Sequence, residues 1–324
     1  MLLCFLPEES EQRSAALRTV EHHRDLLDDD RALAFLVTRR TATFDQLQDQ
    51  QGLRWFKDGN GEISRLYGVL APDGQAEACW MLLDPSLRIM IVSPIEQGER
   101  VFATLRALPE PDGHAGVPLH APVLIVPRIL TPDYCRRLID YYERVGGQPS
   151  GVMREKDGKT IGVIDDFKRR ADCVFEDEAM QMELRRSLVT RLLPEIEKVF
   201  QFTATRIERY IVAAYDANDG GYFRPHRDNT TSGTAHRKFA VTINLNAEDY
   251  EGGDLRFPEF GRRTYRAPTG GAVVFSCALL HEATPVTRGR RYATLPFLYD
   301  DAGAAIREKN RHLVQAGLTA ADAE

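Results

Sequence analysis

Two histidines, one aspartate and a pair of arginines define the chemistry open to this sequence. His226 and Asp228 close the stretch Tyr215-Asp-Ala-Asn-Asp-Gly-Gly-Tyr-Phe-Arg-Pro-His226-Arg-Asp228, and His281 opens His281-Glu-Ala-Thr-Pro-Val-Thr-Arg-Gly-Arg-Arg291. On a strand, residues i and i+2 share a face. The spacing therefore predicts His226 and Asp228 pointing into one barrel mouth, with Arg227 turned away. His281 follows the apolar run Ala272 to Phe275 and is expected to add a third ligand from the opposite sheet. Two imidazoles and a carboxylate on one face of an octahedron leave three positions open, the arrangement of non-haem Fe(II) oxygenases. Two of those positions suit a bidentate 2-oxo acid and the third dioxygen. A 2-oxo diacid also needs a cation for its far carboxylate, and a planar guanidinium can bind both oxygens. Arg290 and Arg291 are the candidates. They face opposite ways on a strand, and the pattern leaves both open.

These residues need a scaffold, and the chain has length for two domains among its 324 residues. Hydrophobic residues make up 43% and charged residues 28%. That composition fits an ordinary globular protein and argues against disorder. A net charge of -6 with mixed signs gives no footprint for nucleic acid or an anionic membrane. No apolar run approaches membrane-spanning length. The opening Met-Leu-Leu-Cys-Phe-Leu-Pro is short for a secretory segment and reads as a buried strand. The cysteines (Cys4, Cys79, Cys135, Cys173, Cys277) are scattered and odd in number. They predict free thiols and a reducing, cytoplasmic setting.

Along the chain, a first strand precedes a helix to about Leu27. Asp28-Asp29-Asp30 reads as a solvated turn, and Ala32 to Val37 as a strand buried on both faces. Cys79 to Leu83 and Leu87 to Val92 form a hairpin signal around Asp84-Pro-Ser, and Ile95 to Leu108 a closing helix. Pro109 to Pro122 carries four prolines and reads as a linker. Beyond it, Val123 to Val126 is a strand. Thr131 caps a helix with Pro132 at its first position and Gly146 at its end. Gly151 to Thr160 reads as an exposed loop or hairpin, and Lys168-Arg-Arg170 as a solvated basic face. A helix over 176–200 carries Met180, Leu184, Leu188, Leu192 and Ile196 four apart, with a kink expected at Pro194. Strands are predicted at 206–215, 238–246, 254–257, 262–266, 271–276 and 291–299. The fold class implied is α+β: a double-sheet jelly roll backed by helices, after a small α/β domain.

Two family resemblances accompany this reading. Asp58-Gly59 with Asn60-Gly61, Tyr67-Gly68-Val69 and Leu82-Leu83-Asp84-Pro85 resemble the thioredoxin-like fold of peroxiredoxins over residues 1–108. Ser14 stands where that family places its reactive cysteine, so the resemblance implies a degenerate, non-catalytic domain and a candidate homodimer surface. After a 109–122 linker, residues 123–324 form the second domain. Within it, 123–300 resemble the prolyl-4-hydroxylase type of 2-oxoglutarate/Fe(II) dioxygenase. The matching stretches are Tyr215 to Asn229, Leu245-Asn246 with Tyr250 to Pro258, Gly270 to Phe275 and His281 to Arg291. The resemblance implies a double-stranded β-helix with His226, Asp228 and His281 as Fe(II) ligands. It implies Arg291 as the residue holding 2-oxoglutarate, with Tyr215 lining its pocket and O2 as the second co-substrate. Ascorbate is a candidate stimulant. Asn244 stands where many relatives have a tyrosine touching the co-substrate, and Phe297 where prolyl hydroxylases commonly have tryptophan. The implied reaction is hydroxylation of an unactivated C–H in a protein or peptide residue or an amino-acid-type metabolite.

Other readings compete. His226-Arg227-Asp228 also spells a kinase catalytic-loop triplet, but residue 233 is Gly where an asparagine is required. A zinc site would leave Arg291 unexplained. His22-His23 diverge on a helix and read as surface residues. His114, His120 and His236 lie in loop-like stretches without a ligand-spaced partner, and Tyr222 reads as a core aromatic. The alternatives at the level of function are a thiol peroxidase or redox module in the first domain, and a non-catalytic jelly-roll binding protein.

Overall fold

A computed structural model describes residues 1–320, the side chains of the last five excepted. Contacts divide it into two units: Met1–His120 with Glu259–Arg262, and Ala121–Pro258 with Arg263–Glu324. The small segment 259–262 thus departs from a strictly sequential division. Within the first unit, Arg262 donates from Nε to Asp112 Oδ2 at 3.0 Å and also meets Glu110 and Asp30.

The first unit is built on one sheet. Leu2–Phe5 lies parallel to Ala34–Thr38, which lies parallel to Leu53–Lys57. On its other side Leu2–Phe5 pairs antiparallel with Cys79–Leu83, and that strand with Ile89–Pro94. Leu2, Leu36, Trp80 and Leu82 turn to helices Ser10–His22 and Gly98–Ala107, where Val20, Val101 and Phe102 meet them. Phe5, Val37 and Met81 turn to the opposite face, against Ile63, Tyr67 and Val69. Fully apolar strands read as buried on both sides, and that is how the inner ones sit. His23 departs from its surface expectation. The helix ends at His22, and the next turn lays the His23 ring on Phe102 (4.6 Å between centroids) with Nε2 2.9 Å from Glu99.

In the second unit, helix Pro132–Val145 begins where Thr131 Oγ1 accepts from the Tyr134 N–H at 3.2 Å, and it stops at Gly146 with φ 85°. The long apolar stripe is split. Helices Glu178–Ser187 and Leu193–Phe200 flank a wide turn at Leu188–Leu192 with i→i+5 bonding. Pro194 lacks an N–H, and the wide turn just before it absorbs the mismatch. Leu184, Leu188, Leu192 and Ile196 stay fully buried against Tyr134, Leu138, Val212, Val241 and Ile243.

That core backs a large, mainly antiparallel sheet. Its main order is Arg206–Glu208, Phe297–Tyr299, Phe239–Asn244, Arg290–Thr294, Ile211–Asp216, Ala171–Val174 and Gln148–Pro149. A second antiparallel sheet runs Lys168–Arg169, Tyr222–His226, His281–Ala283, Leu255–Arg256, Thr264–Tyr265. Two such sheets make the jelly roll. Strands 222–226 and 281–283 carry few apolar residues, which is why alternation did not reveal them. The predicted strand 206–215 is broken at Arg209, which has φ 76°. The predicted strand 291–299 breaks before Pro296, whose ring nitrogen cannot donate to a ladder.

Candidate metal and co-substrate site

The ligand trio comes from two neighbouring strands of one sheet. Strands Tyr222–His226 and His281–Ala283 pair antiparallel with His226 directly opposite His281. This corrects the expectation that His281 reaches in from the opposite sheet. Asp228 also differs from its expected place. The strand ends at His226, and Asp228 is held beyond it by its N–H donating to the Cys277 carbonyl at 3.0 Å. The carboxylate then lies 3.7 Å from His226 Nε2 and 3.4 Å from His281 Nε2. One donor atom from each of the three lies within 4.8 Å of the others.

The imidazoles are oriented from behind. His226 Nδ1 is 2.7 Å from the Arg224 carbonyl and His281 Nδ1 is 3.1 Å from the Leu279 carbonyl. A carbonyl only accepts, so each Nδ1 carries the proton and each Nε2 lone pair faces the carboxylate. Burial lowers the His281 imidazolium to about 4, helped by His226 and opposed by Asp228. Burial works against the charge of Asp228; the charge of His281 and a hydrogen bond from His226, when those rings are protonated, outweigh it and hold the carboxyl below its usual range. A neutral imidazole beside an ionised carboxylate is the state a divalent cation requires. Phe223 stacks on His226, and Phe275 packs on His281 at 4.5 Å.

Strand parity, which the sequence left open, separates the two arginines. Arg290 points outward to Asp216 and Glu143. Arg291 is 2% exposed and stands opposite Tyr215 in the ladder, with its guanidinium 5.0 Å from that ring's centroid. Its Nε and Nη1 are buried without a hydrogen-bond partner, as is the Tyr250 hydroxyl. Gly253 has φ 67°, and a Cβ there would sit 3.2 Å from Arg291 Cδ and 2.8 Å from Val286 Cγ2. Space for the arginine stem thus depends on glycine. Asn244 is placed elsewhere. Its Nδ2 donates to the Ala267 carbonyl at 2.7 Å, and it is not among the residues lining the cavity.

That cavity, of about 570 Å³, is shared by the trio, Tyr215 and Arg291. It also takes in Lys168 and Arg170, which correct the reading of 168–170 as a solvated face. Lys168 is 8% exposed, and the Arg170 side chain 4%. Residues 168, 170 and 172 alternate, and that parity was the available signal for an inward polar row. Arg169 alone keeps to the outside, donating to the Asp219 carbonyl. His236, expected in a loop without a partner, is 2% exposed and meets Glu208 at 2.5 Å. Tyr222 donates to the Asp166 carbonyl at 2.5 Å.

Residues 210–299 match the family model described as the 2OG-Fe(II) oxygenase superfamily. Apart from 259–262, that match lies within the second unit. A mouse procollagen-lysine,2-oxoglutarate 5-dioxygenase 1 is 28% identical over 177 residues, covering 52% of this chain and 23% of that protein. A PKHD-type hydroxylase from Shewanella sp. (strain ANA-3) is 26% identical over 146 residues, covering 43% of this chain and 64% of the relative. The chain therefore spans from under a quarter to under two thirds of the length of these relatives. Among solved structures, a prolyl hydroxylase from Trichoplax adhaerens in complex with a peptide aligns at 17% identity and TM-score 0.45, covering 57% of this chain and 86% of that one.

The residues present fit the groups that the family implies. Two nitrogens and one carboxylate are a donor set for Fe(II). The buried Arg291 guanidinium, with Nε and Nη1 not engaged by the protein, is a donor set for a carboxylate, because an unpaired buried charge is costly.

Proposed function

We propose that the protein is an Fe(II)- and 2-oxoglutarate-dependent dioxygenase that hydroxylates an unactivated C–H bond. The observation that carries this reading is the sharing of one cavity by the His226/Asp228/His281 trio and the unpaired Arg291. With Fe(II) and 2-oxoglutarate bound, dioxygen oxidises the co-substrate to succinate and CO2 and one oxygen atom enters the substrate.

The chain's own residues supply position and environment. His226 and His281 present Nε2, because the Arg224 and Leu279 carbonyls hold Nδ1–H. Asp228 contributes a fixed negative charge. Arg291 receives the far carboxylate of 2-oxoglutarate, and Tyr215 packs on its guanidinium and limits its swing. Phe223, Phe257 and Phe275 keep water from the imidazoles. Exclusion of water strengthens every charge contact inside.

Residues 1–108 are proposed as a thioredoxin-like domain, with 109–122 as linker and 123–324 as the oxygenase domain. The strand order and the βαβ-then-ββα succession support this assignment. A redox role is disfavoured. Burial pushes the Cys79 thiol up to about 11 and Cys4 well above its ordinary value, and a reactive cysteine needs the opposite shift. A dimer surface on this domain and a cytoplasmic location remain part of the proposal. No helix among the described residues is long and apolar enough to cross a membrane. The relatives' names point to lysyl, prolyl and PKHD-type hydroxylation of those proteins' own substrates.

The test is succinate formation from 2-oxoglutarate by the purified chain. It is expected to require Fe(II) and O2 and to fall to background in His226→Ala. Turnover that survives in that variant, or a wild type indifferent to ferrous ion, would overturn the reading.

A further inference from the structure

The same cavity holds a second group of cations that the co-substrate site does not use. Lys168, Arg170 and Arg209 converge on a single carboxylate, Asp172. Arg170 Nη2 lies 2.6 Å and Arg209 Nη2 3.2 Å from Asp172 Oδ2. Lys168 Nζ is tied to Ser150 Oγ at 2.6 Å and to the Gly151 carbonyl at 2.9 Å. Asp172 is the one carboxylate hydrogen-bonded to this group, because Glu208, which also acts on Arg209, is engaged by Arg237 and His236. Even with Lys168 deprotonated, Arg170 and Arg209 leave one positive charge unmatched.

The crowding is visible in the proton affinities of Arg209 and Lys168, whereas for Arg170 burial is outweighed by Asp172 and Tyr215, which hold it above its ordinary value. Burial, then Arg170, brings Arg209 down to about 10 and pushes Lys168 well below its ordinary value. Arg170 Nε is buried without a partner. Positive charge in excess, on a half-buried Arg209 and a buried Arg170 that face one cavity, makes this a donor set suited to an anion.

Backbone geometry gives an independent pointer. Arg209 has φ 76°, a region that bulky L-residues rarely adopt. This residue separates the successive strands Arg206–Glu208 and Ile211–Asp216. The break aims a guanidinium across the Phe297 ring, 5.3 Å from its centroid, into the cavity. Strain of this kind is retained where the side chain's placement matters. Nearby Arg237 is balanced by Glu208 at 2.6 Å, so Arg209 is the cation with charge to offer.

This group is distinct from Arg291, though both meet Tyr215. Arg170 Nη1 donates to the Tyr215 hydroxyl at 3.3 Å, while Arg291 packs against its ring. We propose that Arg209, backed by Arg170 and Lys168, binds the carboxylate of the substrate, so that the molecule oxidised is a free, amino-acid-sized carboxylic acid and not an internal residue of a protein. This inference rests on the dioxygenase reading above.

The test uses the intact chain with Mn(II), a redox-inert stand-in, and 2-oxoglutarate. It is titrated calorimetrically with the free L-amino acids, each beside its primary amide. At least one acid is expected to bind, with its amide tenfold to a hundredfold weaker, the loss associated with a charge-assisted hydrogen bond. Arg209→Gln is expected to weaken the acid by a similar factor and to leave 2-oxoglutarate affinity within twofold. Arg209→Lys should recover part of the loss. The wild-type preference for acid over amide needs no variant and stands even if one fails to fold. The proposal is overturned if 2-oxoglutarate binds and no acid does, or if acid and amide bind equally. It is also overturned if Arg209→Gln weakens 2-oxoglutarate as much as the acid, since the pocket would then belong to the co-substrate. Failure of 2-oxoglutarate itself to bind would remove the dioxygenase reading, and this one with it.

Discussion

Asp58 in the first unit and Arg291 in the second are buried to nearly the same degree, 1% and 2% exposed. Their surroundings differ completely. Asp58 accepts from the N–H groups of Ile63 and Ser64, both at 2.9 Å, and from Ser64 Oγ at 2.6 Å. Arg291 has two nitrogens without any partner. A buried charge satisfied by its own chain ties down a turn, here the start of the short helix Glu62–Leu66. A buried charge left unsatisfied lowers stability and is explained by a ligand. The units differ in the same sense at the level of side-chain clusters. Among the described residues, the one His/Cys/Asp/Glu group close enough to hold a metal lies in the second unit.

The sharpest way to break this contrast is to remove each charge. Arg291→Gln is expected to weaken 2-oxoglutarate binding by about 2–5 kcal/mol, the cost of losing one partner of a buried charge pair. The melting temperature of the ligand-free variant should hold or rise, because an uncompensated buried charge is gone. A ligand-free variant that melts well below wild type would make Arg291 structural and erase the contrast. Asp58→Ala should do the reverse. Three donors lose their acceptor, so thermal or urea unfolding should report a loss of about 2–4 kcal/mol, with 2-oxoglutarate affinity unchanged.

Glu208 sharpens the comparison inside the second unit, as a largely buried charge that is satisfied. Burial raises its carboxyl, but hydrogen bonds from His236 and the charge of Arg237 more than offset this and bring it to about 2, from an ordinary 4.5. A depressed folded value means stability that is present above pH 4.5 and lost as pH falls towards 2. Denaturant titrations across that window should show wild type losing up to about 3 kcal/mol more than Glu208→Gln. Equal slopes would mean that the Glu208 contacts contribute nothing. The smallest effect is expected at a helix end distant in role from all of these. Thr131→Ala removes the cap of Pro132–Val145 and should cost about 1 kcal/mol in unfolding assays, with no change in metal or 2-oxoglutarate binding.

Much of the scaffold was legible because it follows from period and punctuation. Apolar runs marked the inner strands of the first unit, Thr131-Pro132 and Gly146 marked a helix, and Leu184 to Ile196 marked a buried stripe. In the second sheet, strands 254–257 and 262–266 were marked, but those at 222–226 and 281–283 were not, since ligands and turn residues replace the alternating apolar side chains there. His23 and His236 were misread because burial by a neighbouring ring or carboxylate leaves no trace in local sequence.

By itself the sequence determined which donors exist and in what order: His226 and Asp228 one residue apart, His281, and arginines nine and ten positions beyond it. Those are covalent facts, and they supply the donors that a metal with an anion clamp would need. Tertiary structure alone decided that His226 and His281 face each other across one ladder and that Arg291 turns inward while Arg290 turns out. It alone gathered Lys168, Arg170 and Arg209 around Asp172. The reason is that strand register, parity and the closing of two sheets on one cavity depend on contacts between residues far apart in the chain, and local pattern does not encode them.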